Sequence, residues 1–276
     1  MFIDTHCHLT EKYRGGVNDV IGRARRKNVG VIVCSTAEPD DLAVTLDIAR
    51  THKNVFCTVG FHPDCADTVN PTEFLTPEIL SDDVVVGIGE IGLDYHSNKD
   101  NRENQIKLFT EQLEIARQYD LPVAIHTRDA DDDTREYLTD KNHGVLHCFT
   151  SKWGLAKTML DRGFYFSASG ILTFKRADEV REVFAKIPLD RIVVETDAPY
   201  CAPVPFRGQI CESFMVKKTA GVLAEIKKIP VEELENILFT NTLQLYPKIK
   251  IVEIQRPQKR NNKKKENTGT IDTGEK

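Results

Sequence analysis

Apolar, β-branched runs alternate along this chain with stretches whose apolar residues recur at helical spacing. The runs predict strands at Met1–Thr5, Val29–Ser35, Val55–Val59, Val84–Glu90, Pro122–His126, Gly144–His147, Phe164–Ser167 and Arg191–Thr196. Helices are clearest at Asn101–Tyr119, where Ile106, Phe109, Leu113 and Ala116 keep the period, and at Ser151–Asp161. Gly208–Leu245 reads as helical, with Pro230 opening a second helix at Val231-Glu232-Glu233. Eight strands, their intervening connections and a helical finish, with strand starts roughly 20–40 residues apart, are what a (βα)8 TIM barrel requires. The expected fold class is therefore α/β, with one barrel domain. A doubly wound open sheet is the rival, but it carries fewer strands and binds at one switch point, whereas polar residues here end strand after strand.

The barrel is expected to occupy residues 1–250, since after Pro247 the periodicity dissolves. Residues 251–276 are Lys-rich, then rich in Thr, Gly and Glu, and read as a disordered basic tail. The 276 residues, 40% of them hydrophobic, suffice for a substantial core. Charge is uneven: residues 256–276 carry seven Lys or Arg against three acids, leaving 30 basic and 39 acidic residues before them. A body with a net charge of −9 is not coated for wrapping long duplex nucleic acid, so any action on nucleic acid must go through a local site. Cations held in that site would reverse the local potential. No apolar run reaches the roughly 18 residues of a membrane span, and no basic segment leads into an apolar core at the N-terminus. A cytoplasmic protein is expected, with no membrane association and no obligate protein partner evident. The seven cysteines, at 7, 34, 57, 65, 148, 201 and 211, form no CxxC pair and fit a reducing compartment.

The strand ends carry the candidate chemistry. Phe2-Ile3-Asp4-Thr5-His6-Cys7-His8 ends a short apolar strand in imidazoles two residues apart, a spacing that points both to one side. Val84-Val85-Val86-Gly87-Ile88-Gly89-Glu90 places a carboxylate just past an apolar run, where burial is costly unless a cation pairs with it. Further strands end in His126, His147 and Glu195-Thr196-Asp197. His6, His8, Glu90, His126, His147 and Asp197 thus all fall at C-terminal strand ends, the face on which barrel active sites are built. Four histidines and two carboxylates are too many donors for one tetrahedral zinc and suit two neighbouring divalent cations, with Glu90 as the natural bridge. A pair about 4 Å apart activates water and stabilises a leaving oxygen, so the expected chemistry is metal-assisted hydrolysis. Histidine-rich ligation favours Zn²⁺ or Mn²⁺, while the carboxylates and phosphate chemistry also admit Mg²⁺.

Asp4-Thr5-His6-Cys7-His8-Leu9, Gly89-Glu90-Ile91-Gly92-Leu93-Asp94-Tyr95, His147-Cys148-Phe149-Thr150, and Glu195-Thr196-Asp197-Ala198-Pro199-Tyr200 followed by Arg207-Gly208 closely resemble the TatD family of metal-dependent deoxyribonucleases, within the amidohydrolase-type barrels. The resemblance runs from residue 1 to about 246 with motifs in the expected order. It implies that His6 and His8 bind one metal together with Asp197 and the bridging Glu90, and that Glu90, His126 and His147 hold the second. It further implies that Asp197 orients the attacking water or takes its proton, and that a hydroxide held between the cations attacks phosphorus. Arg207 matches a phosphate contact, its planar fork suiting a pair of phosphate oxygens. His62, in the Gly60-Phe61-His62-Pro63 turn, matches a substrate contact. The implied activity is 3′–5′ exodeoxyribonuclease action on single-stranded or frayed DNA ends.

Three departures touch loops rather than the proposed ligands: Asp64 where a second histidine is common, Ser151-Lys152-Trp153 where a glycine often follows, and Gln209-Ile210-Cys211-Glu212-Ser213 where Arg-Asn-Glu-Pro is common. They bear on substrate preference, because loops on this face shape the pocket. Two other readings stay open. The same metal pair could hydrolyse a small ester, lactone or amide, although no His-Ala-Glu pattern of the deaminase-like relatives is present. A barrel that has lost catalysis and serves as a binding module is the second, and the intact donor set argues against it.

Overall fold

The computed structural model describes residues 1–9, 13, 15–97 and 100–252. In chain order the elements are β1 (Phe2–Cys7), α1 (Gly16–Arg26), β2 (Val29–Ser35), α2 (Pro39–Thr51), β3 (Val55–Val59), α3 (Pro77–Leu80), β4 (Val85–Asp94), α4 (Arg102–Gln118), β5 (Val123–Arg128), α5 (Asp131–Tyr137), β6 (Gly144–Leu146), α6 (Trp153–Asp161), β7 (Tyr165–Ala168), α7 (Asp178–Lys186), β8 (Ile192–Val194), α8 (Val216–Lys227) and α9 (Val231–Leu245). The eight strands lie side by side in sequence order, every pair parallel. This is the expected (βα)8 barrel. Its seam is closed just beyond β1 and β8: Cys7 bridges Ala198, His8 N–H donates to Ala198 O at 2.6 Å and Asp197 N–H to His6 O at 3.0 Å. The buried Asp4 carboxylate reinforces the seam, accepting from the Thr196 amide at 2.8 Å and its hydroxyl at 2.7 Å.

Both faces of each strand are covered, which is why the strands read as nearly unbroken apolar runs. Ile3, Val31, Val33, Val86, Ala124, Val145 and Val193 pack together inside the barrel with Leu245 at the end of α9 and with Tyr246 and Ile249 just after it. Tyr246 closes this base: a Cβ added to Gly87 would sit 3.2 Å from its ring. Phe2, Ile32, Cys34, Val123, Leu146 and Ile192 point instead to the helical layer.

Two buried glutamines on one face of α4 fasten segments at the C-terminal ends of β3 and β4. Gln112 accepts from the Phe61 amide at 2.8 Å and donates to its carbonyl at 3.0 Å. Gln105 does the same for Asp94, at 2.9 and 3.0 Å. Their seven-residue spacing is two helical turns, so one helix fixes both segments.

Several boundaries move. β1 runs on through His6, and β4 runs through Glu90 to Asp94, because both strands stay paired past their polar residues. Residues 208–212 are not helical: Gly208 is at φ +82°, the Cys211 amide donates to Pro199 O at 3.0 Å, and the helix starts at Val216. The basic tail expected over 251–276 lies, from residue 253 on, outside the described residues. Among the described residues no helix is long and apolar enough to cross a membrane.

Candidate metal centre

Glu90 sits at an irregularity in β4. Ile88 pairs with Val123 and Ile91 with Ile125, so one extra residue is inserted between them. The Glu90 amide leaves the ladder and donates to Thr36 O at 2.9 Å, and the side chain projects into the mouth of the barrel.

Its two oxygens face different partners. Oε2 is 3.4 Å from His6 Nε2 and 3.3 Å from His8 Nε2, and those two nitrogens are 3.3 Å apart. Asp197 Oδ1 lies on the same side, 3.9 and 3.7 Å from them. Oε1 is 2.9 Å from His126 Nδ1 and 2.8 Å from His147 Nε2, nitrogens 3.4 Å from each other. An ion about 2.1 Å from each donor holds adjacent donors about 3.0–3.4 Å apart. The His6–His8 and His126–His147 nitrogens, and Glu90 Oε2 with His6 and His8, have that spacing, while Glu90 Oε1 is drawn closer to its two imidazoles and Asp197 Oδ1 stands farther off. The chemistry of imidazole and carboxylate suits a borderline or hard divalent cation.

Each imidazole is held from behind. His6 Nδ1 is 3.0 Å from the Ser35 hydroxyl, which meets Thr58 Oγ1 at 2.7 Å. His8 Nδ1 is 3.0 Å from Ser35 O. His126 Nε2 is 3.0 Å from Asp94 Oδ2 and His147 Nδ1 is 3.3 Å from Glu195 Oε1. These contacts fix which nitrogen faces the centre: Nε2 for three rings and Nδ1 for His126.

The charges are poised accordingly. Burial opposes ionisation of Glu90, yet His147, His126 and His6 outweigh it and hold the carboxyl well below the usual range. Burial likewise opposes a proton on His147, but Glu90 and Glu195 raise its pKa well above the ordinary value. Burial, with the neighbouring His147, lowers the pKa of His6. Packed imidazoles of opposed tendency around ionised carboxylates are an arrangement that a cation would relieve.

All six residues expected from the strand ends converge here. His62 reaches the rim, its Nε2 3.9 Å from Glu90 Oε1 and its Nδ1 3.3 Å from Asp64. Arg207 does not join the cluster. It lies in the exposed loop after β8, its guanidinium 3.8 Å above the Phe174 ring and its Nη1 donating to Ala202 O at 3.3 Å. The sequence reading passed over Ser35, Asp94 and Glu195 as site residues. Asp94 and Glu195 carried a signal, since both lie inside quoted motifs at barrel strand ends. Ser35 carried none.

A profile described as TatD related DNase matches residues 3–247. The metal-dependent hydrolase YabD of Bacillus subtilis is 34% identical over 252 residues, which cover 89% of this chain and 99% of YabD. The metal-dependent hydrolase YcfH of Escherichia coli is 36% identical over 253 residues, 88% of this chain and 95% of YcfH. The crystal structure of YjjV, a TatD homolog from Escherichia coli, superimposes with a TM-score of 0.82 at 31% identity, covering 89% of this chain and 98% of YjjV.

Proposed function

This chain belongs to the TatD-related DNase family of metal-dependent hydrolases, and on that premise we propose that it cleaves phosphodiester bonds of DNA, removing nucleotides from the 3′ end of single-stranded or frayed strands. The observation that carries the reading is the division of Glu90, one oxygen toward His6 and His8, the other toward His126 and His147. In this reading His6, His8, Glu90 and Asp197 hold one divalent cation, and Glu90, His126 and His147 hold a second, either Mg²⁺, Mn²⁺ or Zn²⁺. Such a pair supplies Lewis acidity, easing the deprotonation of water and offsetting phosphate charge.

The chain supplies the rest. Asp197 offers a carboxylate at the mouth of the barrel that orients the attacking water and accepts its proton. His62, at the rim, and Arg207, on the loop after β8, bind the substrate phosphates. Among the described residues Glu90 is the one acid that touches both clusters, so its loss disorders both. An acidic body with one focal cationic site favours a strand end over a long duplex, because distant phosphates meet repulsion. The family name supports a DNA substrate, and end preference and direction rest on the resemblance and the charge argument.

The test is digestion of 3′-labelled and 5′-labelled single-stranded DNA with Mg²⁺, Mn²⁺, Zn²⁺ or EDTA, with Glu90→Ala alongside. Stepwise loss of the 3′ label, dependent on metal and absent in the variant, is the expected result. Intact DNA under every metal, with ions still bound to the protein, would sink the nuclease reading and move the search to small esters, lactones and amides.

A further inference from the structure

Two thiols stand beside Asp197 on the side that the hydrolytic site does not use. Asp197 turns Oδ1 toward His6 and His8, while Cys201 Sγ donates to its other oxygen, Oδ2, at 3.4 Å. Cys148, just after β6, donates through Sγ to Ser169 Oγ at 3.1 Å. One donor atom each of Cys148, Asp197 and Cys201 lies within 4.8 Å of the other two. The positions are firmly set. The Cys148 amide donates to Glu195 Oε1 at 2.7 Å, and all three residues hold left-handed backbone, at φ 40°, 55° and 50°. Cys7, Cys34, Cys57, Cys65 and Cys211 are buried, whereas Cys148 and Cys201 are only half-buried.

We propose that Cys148, Cys201 and Oδ2 of Asp197 form a further cation site, selective for a thiophilic divalent ion such as Zn²⁺ or Cd²⁺. A tetrahedral ion with sulfur at about 2.3 Å and oxygen at about 2.1 Å holds the two donors about 3.5 Å apart, close to the 3.4 Å between Cys201 Sγ and Asp197 Oδ2. Soft sulfur donors discriminate against Mg²⁺ and Mn²⁺, which the imidazole and carboxylate clusters accept. Two selectivities thus meet across one carboxylate. On binding, each sulfur gives a lone pair to the ion and its proton to solvent, with no change of oxidation state. Occupancy would engage the Asp197 oxygen opposite the hydrolytic centre, so the site is placed to tune that residue.

Cobalt reports on it without any activity measurement. The full-length protein, reduced with a phosphine and freed of metal, is titrated with Co²⁺. Thiolate ligation gives an intense sulfur-to-cobalt charge-transfer band in the near ultraviolet that imidazole and carboxylate donors do not give. The expected result is this band in the wild type and its loss, at least tenfold, in Cys201→Ser, with the weak visible bands of the other clusters retained. A second measurement uses no variant: alkylation of Cys148 and Cys201, located by peptide mass spectrometry, should slow at least tenfold under Zn²⁺ and not under Mg²⁺. Absence of the sulfur band at every loading, an undiminished band in Cys201→Ser, or alkylation indifferent to Zn²⁺ would each overturn the proposal. Failure to cleave DNA leaves these readouts untouched.

Discussion

Glu195 stands behind His147, its Oε1 3.3 Å from the imidazole Nδ1, and the same carboxylate oxygen accepts from the Cys148 amide at 2.7 Å. Asp94 plays the corresponding part for His126. Neither acid faces the centre, yet each sets the tautomer and aim of a proposed ligand. Glu195→Gln and Asp94→Asn should therefore weaken metal binding about 10–100-fold while leaving all six donors in place. Metal-buffered titration checks this, and an unchanged affinity would show that the rings need no such support.

Removing the divided carboxylate is more severe. If the chain holds the proposed cation pair, Glu90→Ala should lower bound metal from about two ions per chain to one or none, and reduce hydrolysis at least about 10³-fold, roughly 4 kcal/mol in the barrier. Elemental analysis of the dialysed protein, beside its turnover, separates lost binding from lost chemistry.

A third prediction concerns backbone rather than side chain. Gly92 lies at φ +147°, and a Cβ there would come 1.9 Å from the His126 carbonyl oxygen. Only glycine fits so close an approach between β4 and β5. Gly92→Ala should displace His126, weaken metal binding and lower the melting temperature, the last measured by calorimetry.

Away from the centre, Arg102 of α4 grips Asp133 of α5 with two bonds of 2.7 Å, and the guanidinium holds that carboxyl below its ordinary value. A depressed acid stabilises the fold above the unfolded pKa of about 4 and loses that contribution as pH falls through the folded value. Arg102 is half-exposed, which screens the pair. Asp133→Asn should lower the melting temperature slightly at pH 7, and the gap to wild type should narrow as pH falls below about 4 and through the depressed value of the folded carboxyl.

Tyr246 separates packing from polarity. It is fully buried at the base of the barrel, and its hydroxyl has no hydrogen-bond partner among the described residues. Tyr246→Phe should leave stability unchanged or raise it slightly, since a stranded hydroxyl costs more than it returns. Tyr246→Ala, which opens a cavity, should cost about 3–5 kcal/mol. Denaturant unfolding of both variants decides the matter.

Much of this was legible in the chain because two signals coincide. Strands covered on both faces leave unbroken apolar runs, and a barrel puts its chemistry where those runs turn polar, so His126 and Asp197 could be placed without coordinates. What escaped depends on contacts between distant elements. Gln105 and Gln112 look like ordinary helix-surface residues until Asp94 and Phe61 are seen against them. Glu195 reads as one more polar strand end, although it is fully buried behind His147. The segment after Gly208 has helical composition, but its fold is dictated by the Pro199 carbonyl, to which Cys211 is tied. Arg207 could be assigned a phosphate by its chemistry, and its stacking on Phe174 is a tertiary fact with no local signature.

The seam that joins β1 to β8 also fixes an order of events during synthesis. Asp4 and Thr196 meet across a separation of 192 residues, and at about 5–20 residues per second that interval lasts on the order of 10–40 s on the ribosome. Throughout it the emerging chain displays His6 and His8 without Asp197, and for much of it without Glu90. An exposed histidine pair of that kind is a weak, indiscriminate metal trap. On the proposed ligand set, selective loading would wait until the last strand brings Asp197, making metal capture a late step and the cation a ligand of the closed barrel rather than a template for its folding.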